Sequence, residues 1–154
     1  MNRQTDKHLH HKQFWTPHYQ IITASRRVGR SAENLVIFYL KNRGWRILAR
    51  NYETSRGEVD IIAYKMHADL KGYPTVVFVE VKSRSNAQGL SPELNVTAAK
   101  QRKLSATIRQ WIGAHARLRA VYRCDIAALI VPRKKIPRIR YFPNAYCMRE
   151  PFGW

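Results

Sequence analysis

Two segments of this chain set charged side chains inside apolar, strand-like sequence: Gly57 Glu58 Val59 Asp60 and, after a short gap, Val76 Val77 Phe78 Val79 Glu80 Val81 Lys82. Side chains alternate faces along a strand, so Glu58 and Asp60 are expected on one face of the first segment, and Glu80 and Lys82 on one face of the second. Charges taken into a half-buried sheet cost several kcal/mol unless they are paired or hold a metal ion. The pattern therefore demands a strand pair carrying either a structural ion pair or a catalytic centre.

The charge balance bears on that choice. Lys and Arg outnumber Asp and Glu by 28 to 10, a formal net charge of +18. That excess points to a polyanionic partner, nucleic acid above all. No basic helix with a clean apolar face points to a membrane surface instead. Against this background the few acids stand out. Of ten carboxylate side chains, Glu58, Asp60 and Glu80 fall in the two strand segments, and Glu33 lies on an amphipathic helix just before them. Carboxylates repel phosphate unless a divalent cation lies between, and Mg²⁺ is typically held by one or two carboxylates, waters and phosphate oxygens. A metal site in a basic groove reconciles the two features.

A chain of 154 residues suits one domain, burying roughly 70% of the surface its unfolded form exposes. Residues 1–24 read as a flexible basic extension in which His8, His10 and His11 form a solvated cluster, and residues 25–154 as a single domain. There is no apolar run of signal-peptide or membrane-spanning length, and Cys124 and Cys147 lack the spacing of a metal motif or a disulfide scaffold. These features together predict a cytoplasmic protein with reduced thiols.

Periodicity predicts a helix over residues 25–42, with Gly44 as its stop, then strands over 45–52, 58–64 and 75–83. Ser91 followed by Pro92 and Glu93 marks a second helix start. Leu104, Ile108, Trp111 and Ile112 give that helix its apolar stripe. Strands over 120–131 and 136–146 follow. The expected order is αβββαββ, a mixed α/β sandwich with an antiparallel meander rather than repeating βαβ units. Asp60 and Glu80, side by side on neighbouring strands, could fix one or two Mg²⁺ ions, with Lys82 orienting an attacking water or offsetting charge at phosphorus. Arg26, Arg30, Arg50, Arg84, Lys100 and Lys103 are candidate phosphate contacts. A structural ion pair around Glu80 and Lys82 remains the alternative at this point. Trp45, Trp111, Tyr52 and Tyr141 fit core packing better than base stacking. Asp125 reads as an acceptor that supports the fold.

An acid on the first helix (Ala32 Glu33), Arg50 Asn51 Tyr52, Gly57 Glu58 Val59 Asp60 Ile61 Ile62, and Phe78 Val79 Glu80 Val81 Lys82 with Arg84 come in order. Val96, Lys100, Cys124 Asp125 Ile126 and Asn144 Ala145 Tyr146 follow. Together they resemble the PD-(D/E)XK nuclease core, and within it the YraN-like family of predicted small endonucleases, similar to archaeal Holliday junction resolvases. The resemblance runs from Gly29 to about Tyr146. It implies a restriction-endonuclease-like core, a central mixed five-stranded sheet flanked by two helices. It also implies a Mg²⁺- or Mn²⁺-dependent endonuclease acting on DNA, branched or otherwise structured DNA included, and by analogy a homodimer. Asp60 and Glu80 would be the principal metal ligands, the Val81 backbone carbonyl would assist, and Glu33 would reach the metal directly or through water. Lys82 would be the catalytic lysine, and Glu58 a secondary acid or a partner of Arg50 or Lys100. The competing expectation is a non-catalytic nucleic-acid-binding module that keeps the nuclease fold.

Overall fold

The computed structural model describes residues 19–21, 32–66, 72–84, 97–115, 118–130 and 136–145. Its elements are β1 (Tyr19–Ile21), α1 (Ala32–Lys41), β2 (Arg46–Thr54), β3 (Gly57–Lys65), β4 (Thr75–Arg84), α2 (Ala98–Ala114), β5 (Val121–Ile130) and β6 (Arg138–Phe142). The strands form one mixed sheet in the order β1-β6-β5-β4-β3-β2. The expected αβββαββ order is present. A three-residue sixth strand joins it, since Tyr19–Ile21, inside the stretch read as an extension, pairs antiparallel with β6. The rest of residues 1–24 lies outside the described residues, as do His67, Cys147 and the helix start at Ser91.

The sheet is mixed, as expected. β2, β3 and β4 do form an antiparallel meander, but β4 and β5 run parallel over ten residue pairs. Parallel neighbours need a crossover, and α2 supplies it, so β4-α2-β5 is a βαβ unit. A meander could be read from local spacing. The choice of β5 as a parallel neighbour rests on contacts across the whole helix.

The central strands are buried on both faces, which explains their unbroken apolar run. Val77 and Val79 face the layer built with α1 through Leu35, Val36 and Leu40. Val76 and Phe78 face the opposite layer, with Leu104, Ile108 and Trp111 of α2. The helices thus cover the two sides of the sheet. Phe78 meets the Trp111 ring edge-on, 5.5 Å between centroids. Trp111, Tyr141 and the buried thiol of Cys124 all belong to the core.

Gly44 ends α1 as expected: its φ of 77° lies in the left-handed region, and its N–H donates to the Lys41 carbonyl at 3.0 Å. A Cβ there would meet only Lys65 side-chain atoms, at 3.7 Å and beyond. Gly44→Ala should therefore cost about 1–2 kcal/mol through backbone conformation alone. In urea the unfolding midpoint should fall with an unchanged slope. α2 begins at Ala98, ahead of the apolar stripe that opens at Leu104. Thr97 is the N-cap, its hydroxyl accepting from the Lys100 N–H at 3.2 Å.

Candidate functional site

The β3–β4 ladder stops at Ile61↔Val79. Beyond that pair β4 continues beside β5 as far as Arg84↔Ile130, and β3 continues beside β2 as far as the hairpin pair Thr54↔Gly57. The sheet forks between them. One more step in the register would set Asp60 against Glu80, at the root of the fork.

β3 also departs from simple alternation there. Val59 packs in the α2 layer and Ile61 in the α1 layer, whereas residues two apart on a regular strand share a face. The strand turns about its own axis at Asp60. On β2 the facing residue is Asn51, whose φ is 45°, a conformation asparagine tolerates better than most residues. The turn brings the Asp60 carboxylate toward β4, and its Oδ2 accepts the Val81 N–H at 2.6 Å. That bond satisfies a backbone donor that lost its ladder partner when the strands parted. A strand residue sends its N–H and C=O to the same side, so the Val81 carbonyl also faces the fork. The expectation that Glu58 and Asp60 share a face does not hold: Asp60 is half-buried in the fork, while Glu58 is exposed at the hairpin end opposite Glu53.

Glu80 and Lys82 do share a face. Lys82 Nζ lies 3.2 Å from Glu80 Oε1. The same oxygen is bonded by Lys100 Nζ, reaching in from the first turn of α2. Glu80 is 5% exposed and the Lys82 side chain 18%, whereas that of Lys100 is 42% exposed. Two ammonium groups thus hold one oxygen of a buried carboxylate. Burial would lower the pKa of Lys100, but its hydrogen bond and charge interaction with Glu80 outweigh that and raise it.

Burial pushes the Asp60 carboxyl up from 3.8 to about 6; the Val81 N–H opposes the shift, Glu80 and then Glu33 add to it, and Lys100 opposes it. Glu33, in the first turn of α1, therefore acts on Asp60 electrostatically. A carboxyl with a folded-state pKa above its unfolded value stabilises the fold when protonated. The stabilisation is complete below 3.8 and lost as pH rises through about 6. Asp60→Asn, neutral throughout, should therefore melt above the wild type at pH 8, and the gap should close toward pH 4. Thermal scans across that range check both halves.

The donor set fits a hard divalent cation. Asp60 and Glu80 offer carboxylates and Val81 a carbonyl, all oxygen ligands of the type Mg²⁺ and Mn²⁺ prefer. Among the described residues no group of three or more His, Cys, Asp or Glu is placed to hold a metal. An ion here would rest on the Asp60–Glu80 pair and complete its shell with oxygens from solvent or substrate, as Mg²⁺ commonly does. Glu33 adds negative potential without completing a three-acid cluster.

The other expected contacts divide between the two layers, Arg50 beside α1 and Lys103 on α2. A cleft of about 490 Å³ between the β2–β3 hairpin and the start of α2 is lined by Glu53, Thr54, Glu58, Thr97, Lys100 and Lys103 among others. Lys100 therefore joins the cleft to the fork. Arg50 pairs with Asn34 Oδ1 at 2.6 Å rather than with Glu58. Arg26, Arg30 and the side chain of Arg84 lie outside the described residues.

From sequence alone Lys100 is only a candidate phosphate contact or a partner for Glu58. Its grip on Glu80 carried a signal nonetheless. Lys100 stands one helical turn before Leu104, on the stripe that continues through Ile108 and Trp111 to the sheet.

No helix among the described residues is long and apolar enough to cross a membrane. The chain is similar to UPF0102 proteins of Geobacter metallireducens, 33% identical over 79% of this chain and 93% of the relative, and of Anaeromyxobacter dehalogenans, 38% identical over 77% and 83%. A third, from Alkaliphilus metalliredigens, is 32% identical over 79% of this chain and 99% of its own length. The family's sequence profile matches residues 32–130, which span both helices, strands β2 to β5 and every residue of the fork. With the match running from α1 through β5, the chain belongs to the uncharacterised protein family UPF0102.

Proposed function

We propose that this protein is a Mg²⁺- or Mn²⁺-dependent endonuclease with a restriction-endonuclease-like core, hydrolysing phosphodiester bonds in DNA. The observation that carries the reading is the fork itself. There β3 and β4 part to place the Asp60 and Glu80 carboxylates together beside Lys82, in a protein of net charge +18. A structural ion pair alone needs no desolvated second acid, and Asp60 has burial and two carboxylate neighbours working against its charge.

The roles divide by position. Asp60 and Glu80 would hold the cation, with the Val81 carbonyl facing the same space. When bound, the ion supplies a polarised phosphate and a more acidic water. Lys82, tied to Glu80 and nearly buried, is fixed where its ammonium can orient the attacking water or balance charge on the phosphorus oxygens. Lys103 and Lys100 bring positive charge to the adjoining cleft, where a phosphate backbone would run. Catalysis at two strands of one substrate would call for a homodimer.

The test is cleavage of junction, flap, single-stranded and duplex DNAs with Mg²⁺ or Mn²⁺. The expected result is metal-dependent nicking, with structured substrates preferred. A second reading is favoured by the way Lys82 and Lys100 neutralise Glu80: a nucleic-acid-binding module without turnover. That reading predicts salt-sensitive DNA binding that Glu80→Ala leaves unaltered and no heat on titration with divalent ions.

A further inference from the structure

Glu80 presents one oxygen to two ammonium groups of unequal freedom. Lys82 is held on β4 two residues away and is largely covered, while Lys100 extends from the first turn of α2 with 42% of its side chain exposed. Lys100 also lines the cleft that opens beside Thr97, Lys103 and the β2–β3 hairpin. It is therefore in contact with the buried carboxylate on one side and, on the other, with an open cleft that it shares with Lys103, Glu53 and Glu58.

A divalent cation bound at Asp60 and Glu80 would stand close to the Lys100 ammonium, and like charges so near in a half-buried site repel by several times their value in water. Lys82 has little room to retreat. Lys100 has a four-carbon stem and an open cleft. We infer that Lys100 is an exchangeable counter-ion: it neutralises Glu80 until a divalent cation takes that place, then turns its ammonium into the cleft to meet a phosphodiester.

The inference rests on the divalent-site reading above and adds regulation to it. Each ligand helps the other, because the cation frees the lysine that phosphate requires and phosphate holds that lysine away from the cation. Linkage makes the coupling equal in both directions. Lys100 is thus a positioning residue for both ligands.

The test is Mn²⁺ titration by calorimetry, without DNA and then with a short single-stranded oligonucleotide, on the wild type, Lys100→Met, Lys100→Gln and Arg109→Met. Arg109 is an exposed α2 cation away from the fork and controls for net charge. Both Lys100 variants should bind Mn²⁺ about 5- to 50-fold more tightly than the wild type. Arg109→Met should not. Oligonucleotide should tighten Mn²⁺ binding in the wild type by about 5-fold or more and do so much less in the Lys100 variants. Thermal melting confirms that each variant is folded, and Lys100→Gln keeps a hydrogen-bond donor for Glu80 should Lys100→Met be unstable. Mn²⁺ affinity unchanged or weakened in both Lys100 variants, with binding still abolished by Asp60→Ala, would overturn the exchange and leave the cation site standing. An equal gain in Arg109→Met would overturn it as well, and absence of Mn²⁺ binding in every protein would remove both readings.

Discussion

Lys82→Met should slow metal-dependent DNA cleavage by about 10²- to 10⁴-fold, the range spanned by positioned groups that manage protons at a reacting centre. The variant keeps the stem of the side chain and removes the ammonium 3.2 Å from Glu80 Oε1. The loss should fall on kcat. Affinity for DNA would be spread over a surface drawn from 28 Lys and Arg residues, so deleting one nearly buried ammonium should change it little. A fall in kcat and kcat/KM together marks an interaction made in the transition state, whereas a rise in KM alone would recast Lys82 as one more phosphate contact. Single-turnover cleavage alongside a binding isotherm separates the two. Glu80→Gln should be similarly inactive, since it removes charge from the cation site and leaves Lys82 and Lys100 without their counter-ion.

The second large effect concerns stability. Asp125, fully buried on β5, accepts from Arg123 through both carboxylate oxygens at 2.8 and 2.9 Å, from the Tyr141 hydroxyl at 2.6 Å and from the Asn144 N–H at 2.8 Å. The network ties β5 to β6 and to the turn after it, where Asn144 has a φ of 51°. Burial, then the charge of Asp125, pushes the Tyr141 hydroxyl well above its ordinary pKa, so it stays a donor throughout the working range. Asp125→Ala strands the Arg123 guanidinium in a half-buried site. Breaking one side of such a pair costs about 3–5 kcal/mol, a melting drop of roughly 6–20 °C for a chain of this size. The double replacement Arg123→Met, Asp125→Leu should recover only the part of the loss that comes from the stranded guanidinium, because the Tyr141 hydroxyl and the Asn144 N–H still lack their acceptor. A single variant that melts within a few degrees of the wild type would show that the network carries little of the stability.

What the sequence revealed followed the range of the interactions involved. The strands and the stop at Gly44 come from local patterns, alternation and a left-handed glycine, and they appear close to where those patterns put them. The parallel pairing of β4 with β5 does not, because partner choice is settled by the layer that α2 builds over both strands. The same division runs through the site. Glu80 and Lys82 are two residues apart on a regular strand, and their contact follows from the pleat. Asp60 follows no simple alternation, since β3 turns at that residue as the sheet forks. Lys100 stands in the first turn of a helix capped by Thr97, and a threonine cap carries less signal in the sequence than Ser91, Pro92 and Glu93, which lie outside the described residues. The core role of Trp111 and Tyr141 was legible, being a matter of apolar bulk near other apolar residues. The sixth strand was not: a three-residue strand carries too little pattern to separate it from the polar stretch that contains it.

The claim that joins these observations is that the Asp60–Glu80 fork binds a divalent cation in order to cut DNA. It is tested most directly by following a labelled branched DNA with the purified wild type and with Asp60→Asn, in Mg²⁺ and again after chelation. The account predicts cleavage by the wild type that chelation abolishes, and none by Asp60→Asn although that variant is folded and binds the DNA. Cleavage of equal rate by Asp60→Asn, or a wild type inert toward every DNA structure with either Mg²⁺ or Mn²⁺, would contradict it.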